Sequence, residues 1–194
     1  MEWEELLVDL SKMIQFGIHR NLRVYDESEV ENNWLGFPPA PTWAIEKREK
    51  DLGIRLPPSY IDFLRVTNGF RQISHFAGRL LPIERIDYLK NIDSDLFDLY
   101  LEEVDRTISP SDQKDYSNNQ RSVFFNVDHL LSSIAISERV EGSIILLNPQ
   151  VKSGEEWEAW IFANWYPGAH RYKSFKMLVE DQYDATKKLI KEDR

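Results

Sequence analysis

Residue types that could carry out catalysis are few in this chain and scattered. An enzyme needs a nucleophile beside a base, a pair of poised carboxylates, a metal-binding cluster or a loop that holds phosphates. The chain has no cysteine, which excludes thiolate nucleophiles and thiolate zinc sites. No His-x-x-x-His spacing links the four histidines, His19, His75, His129 and His170. Phosphate-loop, dinucleotide and serine-hydrolase motifs are also missing, so we expect neither a metal nor a cofactor.

One segment contains the three residue types of a serine-hydrolase triad. Asp128 and His129 are followed closely by Ser132 and Ser133. A working triad needs the imidazole between a hydroxyl and a carboxylate in space, and neighbours in sequence rarely satisfy that geometry. We therefore do not expect these residues to act together.

A pair of carboxylates, Glu156 and Glu158, lies two residues apart on a predicted strand. Side chains at this spacing point to one face, so the two could work as general acid and base. The alternative interpretation, which we favour, is that they flank Trp157 on the solvated side of the strand. On that interpretation the sequence predicts a protein that is not an enzyme.

An acidic helix, predicted from about Ser94 to Arg106, is the first candidate for binding a partner. Its apolar stripe contains Phe97, Tyr100, Leu101 and Val104. Another face carries a column of like charge, formed by Asp95, Asp98, Glu102 and Asp105. Such neighbours repel by ~0.2–0.5 kcal/mol each. An arrangement that costs stability can serve to steer a basic partner, although a plain solvated face is the alternative.

Aromatic residues are densest near the end of the chain, and they supply the second candidate. Trp and Tyr often anchor binding interfaces, and they also fill cores. Strand alternation puts Trp157 and Ile161 on one face, and Trp160 and Phe162 on the other. The chain then leaves the strand through a turn, where exposed aromatic side chains are expected. The candidate residues in that turn are Trp165 and Tyr166.

Composition and charge limit the class of protein and the kind of partner. The chain has 194 residues with 42% hydrophobic and 12% aromatic residues, which suits a single domain with a real core. Its net charge of -9 would repel a phosphate backbone, so nucleic acid is not an expected ligand. No run approaches the ~20 apolar residues of a membrane span. The acidic start at Met1–Glu5 is unlike a signal peptide, so we expect a cytoplasmic protein without a membrane partner.

Helical periodicity and prolines organise the first part of the chain. Residues 2–18 predict an amphipathic helix that lies on the main body or on a partner. Three prolines in residues 34–41 prevent a helix there, and we expect the next helix to begin with Thr42 as its N-cap. The expected organisation is a helix and Pro-rich connection over 1–41, packed on a single globular unit over 42–194.

Several apolar runs in the second half predict strands, and a final helix follows Ser174. The runs span residues 122–125, 133–137, 143–147 and 156–164. The last two are apolar on both faces, which is typical of central strands covered on both sides. The sequence thus predicts an α+β fold, with a mostly antiparallel sheet of about 4–6 strands between N-terminal helices and a C-terminal helix.

Residues 52–70 contain the most distinctive pattern, LGIRLPPSYIDFLRVTNGF. Tyr60, Phe63 and Leu64 form an apolar stripe on a helix that begins near Pro58. Gly69 then favours a helix end, because glycine adopts left-handed conformations at low cost.

Together with Ile45 and Glu49, that pattern resembles the opening signature of the SUKH superfamily, whose oldest-known branch is the Smi/Knr cell-wall-assembly regulators of fungi. A second block looks like the closing half of bacterial members, and consists of IILLNP at 144–149, EWEAW at 156–160, Asn164-Trp165, Gly168 and RYKSF at 171–175. The resemblance extends from Trp43 to about Glu180. It implies the same α+β fold.

The resemblance also implies a function. Bacterial proteins of this kind are widely interpreted as immunity proteins, which bind and neutralise polymorphic or contact-dependent toxins, many of them basic nucleases. We accordingly expect a basic toxin domain as protein partner, occluded by the acidic helix and the Trp165 turn. The alternative is a regulatory scaffold like the fungal relatives. The sequence makes no prediction of oligomeric state.

Overall fold

The computed structural model describes most of the chain, with gaps in its loops and at its end. The described residues are 1–17, 22–74, 78–102, 115–117, 120, 125–140, 142–163 and 168–192. Only the backbone is described for residues 101 and 102. The strand predicted at 122–125 falls almost wholly outside this set.

Six helices and five strands make up the described secondary structure, together with two short 3-10 helices at Glu27–Glu29 and Val127–Leu131. The helices are α1 Trp3–Gly17, α2 Thr42–Leu52, α3 Pro58–Val66, α4 Leu89–Ile92, α5 Ser94–Glu102 and α6 Phe175–Glu192. The strands are β1 Asp87–Tyr88, β2 Ile134–Ala135, β3 Ser143–Ser153, β4 Glu156–Ala163 and β5 Gly168–Tyr172. They form one antiparallel sheet in the order β1-β2-β3-β4-β5. The predicted α+β class and antiparallel sheet are confirmed.

Strand β4 divides the core in two, because its side chains alternate between the faces of the sheet. Trp157 and Ile161 belong to a cluster with α1, α2, α3 and α6. Trp160 and Phe162 belong to a second cluster with α4, α5 and the 3-10 helix Val127–Leu131. The predicted alternation is therefore confirmed, and α3 and α5 lie on different faces of the sheet.

Helix α1 buries an apolar stripe against this chain rather than exposing it. Leu6, Leu7, Leu10 and Ile14 have 1% exposure or less. Trp3 places its ring 5.5 Å from Phe63 of α3 and 5.7 Å from Phe175 of α6. Helix α1 therefore completes the cluster that covers the first face of the sheet.

Helix α3 follows the prediction in residues 58–66, but its end differs in detail. Thr67 ends the helix in an extended conformation, at φ -154°. Gly69 adopts a φ of +95°, and a Cβ there would lie 2.7 Å from the carbonyl oxygen of Leu80. Glycine is needed for this close approach as well as for its left-handed backbone. The predicted cap of α2 is wrong: Pro41 holds that position without a side-chain hydrogen bond, and Thr42 is the first helical residue.

Candidate partner-binding surface

Helix α5 turns one face to the sheet and another to solvent. Leu96, Phe97 and Tyr100 are buried in the second cluster. Asp95 and Asp98 are exposed, as the spacing of the sequence predicts. Leu99, one turn after Asp95, is 49% exposed, so an apolar side chain lies at the edge of the acidic face.

Tyr100 fixes the position of α5 at one end of strand β4. Its hydroxyl donates a hydrogen bond to the carbonyl oxygen of Ala163 at 3.2 Å, and its ring lies 4.5 Å from that of Phe162. Ala163 is the last residue of β4, directly before the segment 164–167. The acidic helix thus lies beside the point from which the predicted aromatic turn departs. The side chain of Glu102, together with Asp105, Trp165 and Tyr166, lies outside the described residues.

The charges on α5 are only partly compensated. Asp93, just before the helix, accepts a hydrogen bond from Leu96 N at 3.0 Å and lies 3.1 Å from Arg139 Nε. Neither Asp95 nor Asp98 forms an ion pair with a described cation. Their charge is therefore available to a partner, at the modest cost in helix stability that like charges carry.

Glu156 and Glu158 do not act as a pair of free carboxylates, and both sequence interpretations are wrong in part. Glu156 reaches the first turn of α3, where its oxygens accept hydrogen bonds from Ser59 N at 2.8 Å and Ser59 Oγ at 2.6 Å. Glu158 is 2% exposed and has entirely different partners. Glu156 thus acts as a helix cap supplied by a distant strand.

Glu156→Ala is expected to lower the free energy of unfolding by about 1–2 kcal/mol, because it removes a charged cap from the α3 terminus. Urea denaturation would measure the loss. Glu155→Ala, at the adjacent exposed position of the β3–β4 hairpin, is the matched control and should change stability by less than about 0.5 kcal/mol. Equal effects of the two variants would contradict the capping role.

The second face of the sheet contains a buried polar cluster that was not predicted from the sequence. Glu158 Oε2 accepts hydrogen bonds from Trp160 Nε1 at 2.7 Å and Asn148 Nδ2 at 3.0 Å. Its Oε1 lies 3.8 Å from Nη1 of Arg171, which is also 2% exposed. The sequence does carry a signal for this cluster, because Glu158 on β4 and Arg171 on β5 are charged residues at inward positions. A charged side chain that is buried requires a partner of opposite charge or hydrogen bonds.

Arg171 joins this cluster to the polar loop that precedes it in sequence. Its Nη2 donates to the carbonyl oxygen of Asp115 at 3.1 Å, and its guanidinium lies 5.6 Å from the ring of Tyr116. Gln120 accepts a hydrogen bond from Arg171 N at 2.8 Å and donates one to Arg171 O at 2.9 Å. The Gln120 side chain therefore bonds to the edge strand β5 as a neighbouring strand would.

His129 does not form a triad with the neighbouring serines. The hydroxyls of Ser132 and Ser133 donate to the carbonyl oxygen of His129, at 3.3 and 2.9 Å. The imidazole Nδ1 instead lies 3.1 Å from Asn148 Nδ2. The expectation that these residues do not act together as a triad is confirmed.

Acidification is expected to destabilise the fold through two half-buried histidines. Burial lowers the pKa of His129, against the opposing charges of Glu158 and Asp128. Burial likewise lowers the pKa of His170, against the opposing charge of Asp181. The unfolded chain then binds more protons below the ordinary histidine pKa of ~6.5, so stability present at pH 7.5 is lost as the pH falls.

Urea midpoints measured from pH 7.5 to 5.5 should therefore decline. The double variant His129→Gln/His170→Gln should flatten that decline, because glutamine cannot take up a proton in either state. A wild-type midpoint that rises on acidification through this range would contradict the prediction.

Two other kinds of functional feature are absent from the described residues. In that part of the chain, no group of three or more His, Cys, Asp and Glu side chains is arranged to hold a metal ion. No helix within the described ranges is long and apolar enough to cross a membrane.

Comparison with known proteins gives one family match. The model of the SMI1 / KNR4 family (SUKH-1) matches residues 39–181, well over half of the chain. The matched region begins just before α2 and ends within α6, so it contains the whole sheet and the acidic helix α5. No curated protein gave a significant match.

Proposed function

The chain belongs to the SMI1/KNR4 family (SUKH-1), and from that premise we propose that it is an immunity protein that binds and neutralises a bacterial toxin. Members of this family are commonly immunity proteins and are generally non-catalytic. An inhibitor of this kind works by affinity and steering, which need an exposed surface with unbalanced charge rather than catalytic groups.

The observation that carries this proposal is the exposed face of α5. Asp95 and Asp98 have no described ion-pair partner, and the half-exposed Leu99 lies beside them, one turn from Asp95. Interfaces commonly combine an apolar centre with charged surroundings that select the partner. A basic toxin domain, for example a nuclease, has the complementary charge.

We place the contact surface on α5 and the turn after β4. The residues in it are Asp95, Asp98, Glu102, Asp105, Trp165 and Tyr166. The hydrogen bond from Tyr100 to Ala163 supports this grouping, since it holds α5 beside the end of β4. Occlusion of the toxin's active site by this surface is the proposed mechanism.

Titration of a purified toxin domain, encoded beside the gene for this chain, tests the proposal. Toxin activity should fall to the uncatalysed level at about one equivalent of this protein, because a tight complex saturates near equal concentrations. Full toxin activity in molar excess of the protein would refute the proposed function.

A further inference from the structure

A groove of about 830 Å³ lies on the side of the sheet away from α5, between α1, α3 and the segment 27–39. Its size is within the range of about 300–1,000 Å³ that is typical of binding sites. Its apolar lining includes Val8, Trp34, Phe37, Pro38, Pro39 and Val66. Three exposed carboxylates also line it, Glu4, Glu29 and Glu31. We call this feature the acidic groove.

The acidic groove has a net negative charge: its three glutamates outnumber Arg71, whose hydrogen bonds to neutral backbone carbonyls leave its positive charge in place. None of its three glutamates forms an ion pair with a described cation. Arg65, which also lines the groove, lies 2.9 Å from Asp62 and is neutralised by it. The other basic lining residue, Arg71, donates its hydrogen bonds to backbone carbonyls of this chain. The charge of the groove is therefore complementary to a cation.

Arg71 braces the segment 27–39, which forms one side of the acidic groove. Its Nη2 donates to the carbonyl oxygen of Glu29 at 2.9 Å, and its Nη1 donates to that of Gly36 at 2.8 Å. Its guanidinium also lies 4.3 Å from the centre of the Phe37 ring. A groove that is already shaped loses less entropy when a ligand enters it.

A tight turn lies within the same segment. Trp34 N donates to the carbonyl oxygen of Glu31 at 3.0 Å, and Asn32 and Asn33 between them have φ values of 53° and 56°. Two successive left-handed residues make this a type I′ turn, a conformation that Asn tolerates. Glu31 and Trp34 are thus held in a fixed relation, one at the rim and one in the lining.

We propose that the acidic groove binds a short extended segment of a protein partner, in which lysine or arginine residues flank an aromatic or aliphatic side chain. The apolar side chain packs between Trp34 and Val66, and the flanking cations lie against the glutamates. Because α3 and α5 cover different faces of the sheet, this surface is separate from the acidic face of α5. The inference does not depend on the proposed immunity function.

The test is a titration of the isotopically labelled full chain with a synthetic peptide that has two cationic residues on each side of one phenylalanine. Saturable NMR shifts are expected at the Trp34 indole and the Val66 amide, and they should weaken as salt is added. A peptide with glutamate at each cationic position should cause none. Equal binding of the two peptides, or shifts confined to Asp95 and Asp98, would overturn the proposal.

Charge reversal in the chain makes the test specific. Glu29→Lys/Glu31→Lys should lower peptide affinity at least about ten-fold, since both substituted positions are exposed and lie at the rim. Glu46→Lys/Glu155→Lys makes the same change of charge in the separate groove between α2, α3 and the β3–β4 hairpin. That control should bind as the wild type does. Equal affinities of the two variants would contradict binding in the acidic groove.

Discussion

Glu158→Gln is expected to lower the free energy of unfolding by about 3–5 kcal/mol, because it removes the buried carboxylate that faces the Arg171 guanidinium. Arg171 cannot escape by deprotonation, since the pKa of an arginine is above ~12. The variant keeps the size of the side chain, so lost packing contributes little. Both residues are 2% exposed, and water therefore cannot replace the missing carboxylate.

Urea denaturation of a double-mutant cycle would measure this effect. Arg171→Met should also strongly lower the free energy of unfolding. The double variant Glu158→Gln/Arg171→Met should lower it by less than the sum of the two single variants, because neither buried charge remains. Asp62→Asn, which breaks the exposed pair with Arg65, is the contrasting control at about 0–1 kcal/mol. A loss below about 1 kcal/mol for Glu158→Gln would show that the buried pair is not essential to the fold.

The consequences of losing this pair extend beyond the sheet. Arg171 binds the carbonyl oxygen of Asp115, and Gln120 bonds to the backbone of Arg171. Residues 115–117 and 120 are thus attached to the second face of the sheet through Arg171, and Gln120 Nε2 also lies 3.3 Å from His170 Nε2. We infer that Glu158 orients the Arg171 side chain that holds this segment, in addition to balancing its charge.

The sequence predicts those helices and strands whose apolar residues recur at a regular spacing. Strand β4 and helix α3 are examples. The alternation of Trp157, Trp160 and Phe162 follows from strand geometry alone, and the stripe of α3 follows from helical spacing. Strand β5 was missed because its sequence, Gly168–Tyr172, contains a glycine, a histidine and an arginine instead of an apolar run. The buried Arg171 is accommodated there with the help of Glu158 on the neighbouring strand, which faces it.

The partners of the carboxylates could not be predicted for a different reason. Glu156 caps a helix that lies 97 residues earlier in the chain, and no local pattern encodes a contact over that separation. The acidic face of α5 is the opposite case. Asp95 and Asp98 were predicted to be exposed because Phe97 and Tyr100 determine which side of the helix is buried. Spacing along one helix or strand therefore predicts which of its side chains are exposed. Contacts between side chains of different elements can be identified only from the three-dimensional structure.

Asp95→Lys/Asp98→Lys is expected to weaken binding of the proposed toxin by about 100-fold, or roughly 2.7 kcal/mol. The two substitutions replace attraction by repulsion at a surface whose charge has no described counter-ion, so both steering and the final contacts are lost. The fold should tolerate them, since both side chains are exposed and two lysines three residues apart repel each other about as much as two aspartates do. Stability is expected to change by less than about 1 kcal/mol.

Association kinetics separate this effect from general electrostatics. The wild-type association rate should fall as salt rises, and the rate for the double variant should depend on salt much less or in the opposite sense. Glu46→Lys/Glu155→Lys changes the net charge by the same amount on the other face of the sheet and should bind the toxin within about three-fold of the wild type. Similar losses for both double variants would mean that net charge, rather than the face of α5, attracts the toxin. Leu99→Ala should then distinguish direct contact from long-range attraction. Removing the half-exposed apolar side chain beside that face should speed dissociation, while the salt dependence of association should remain.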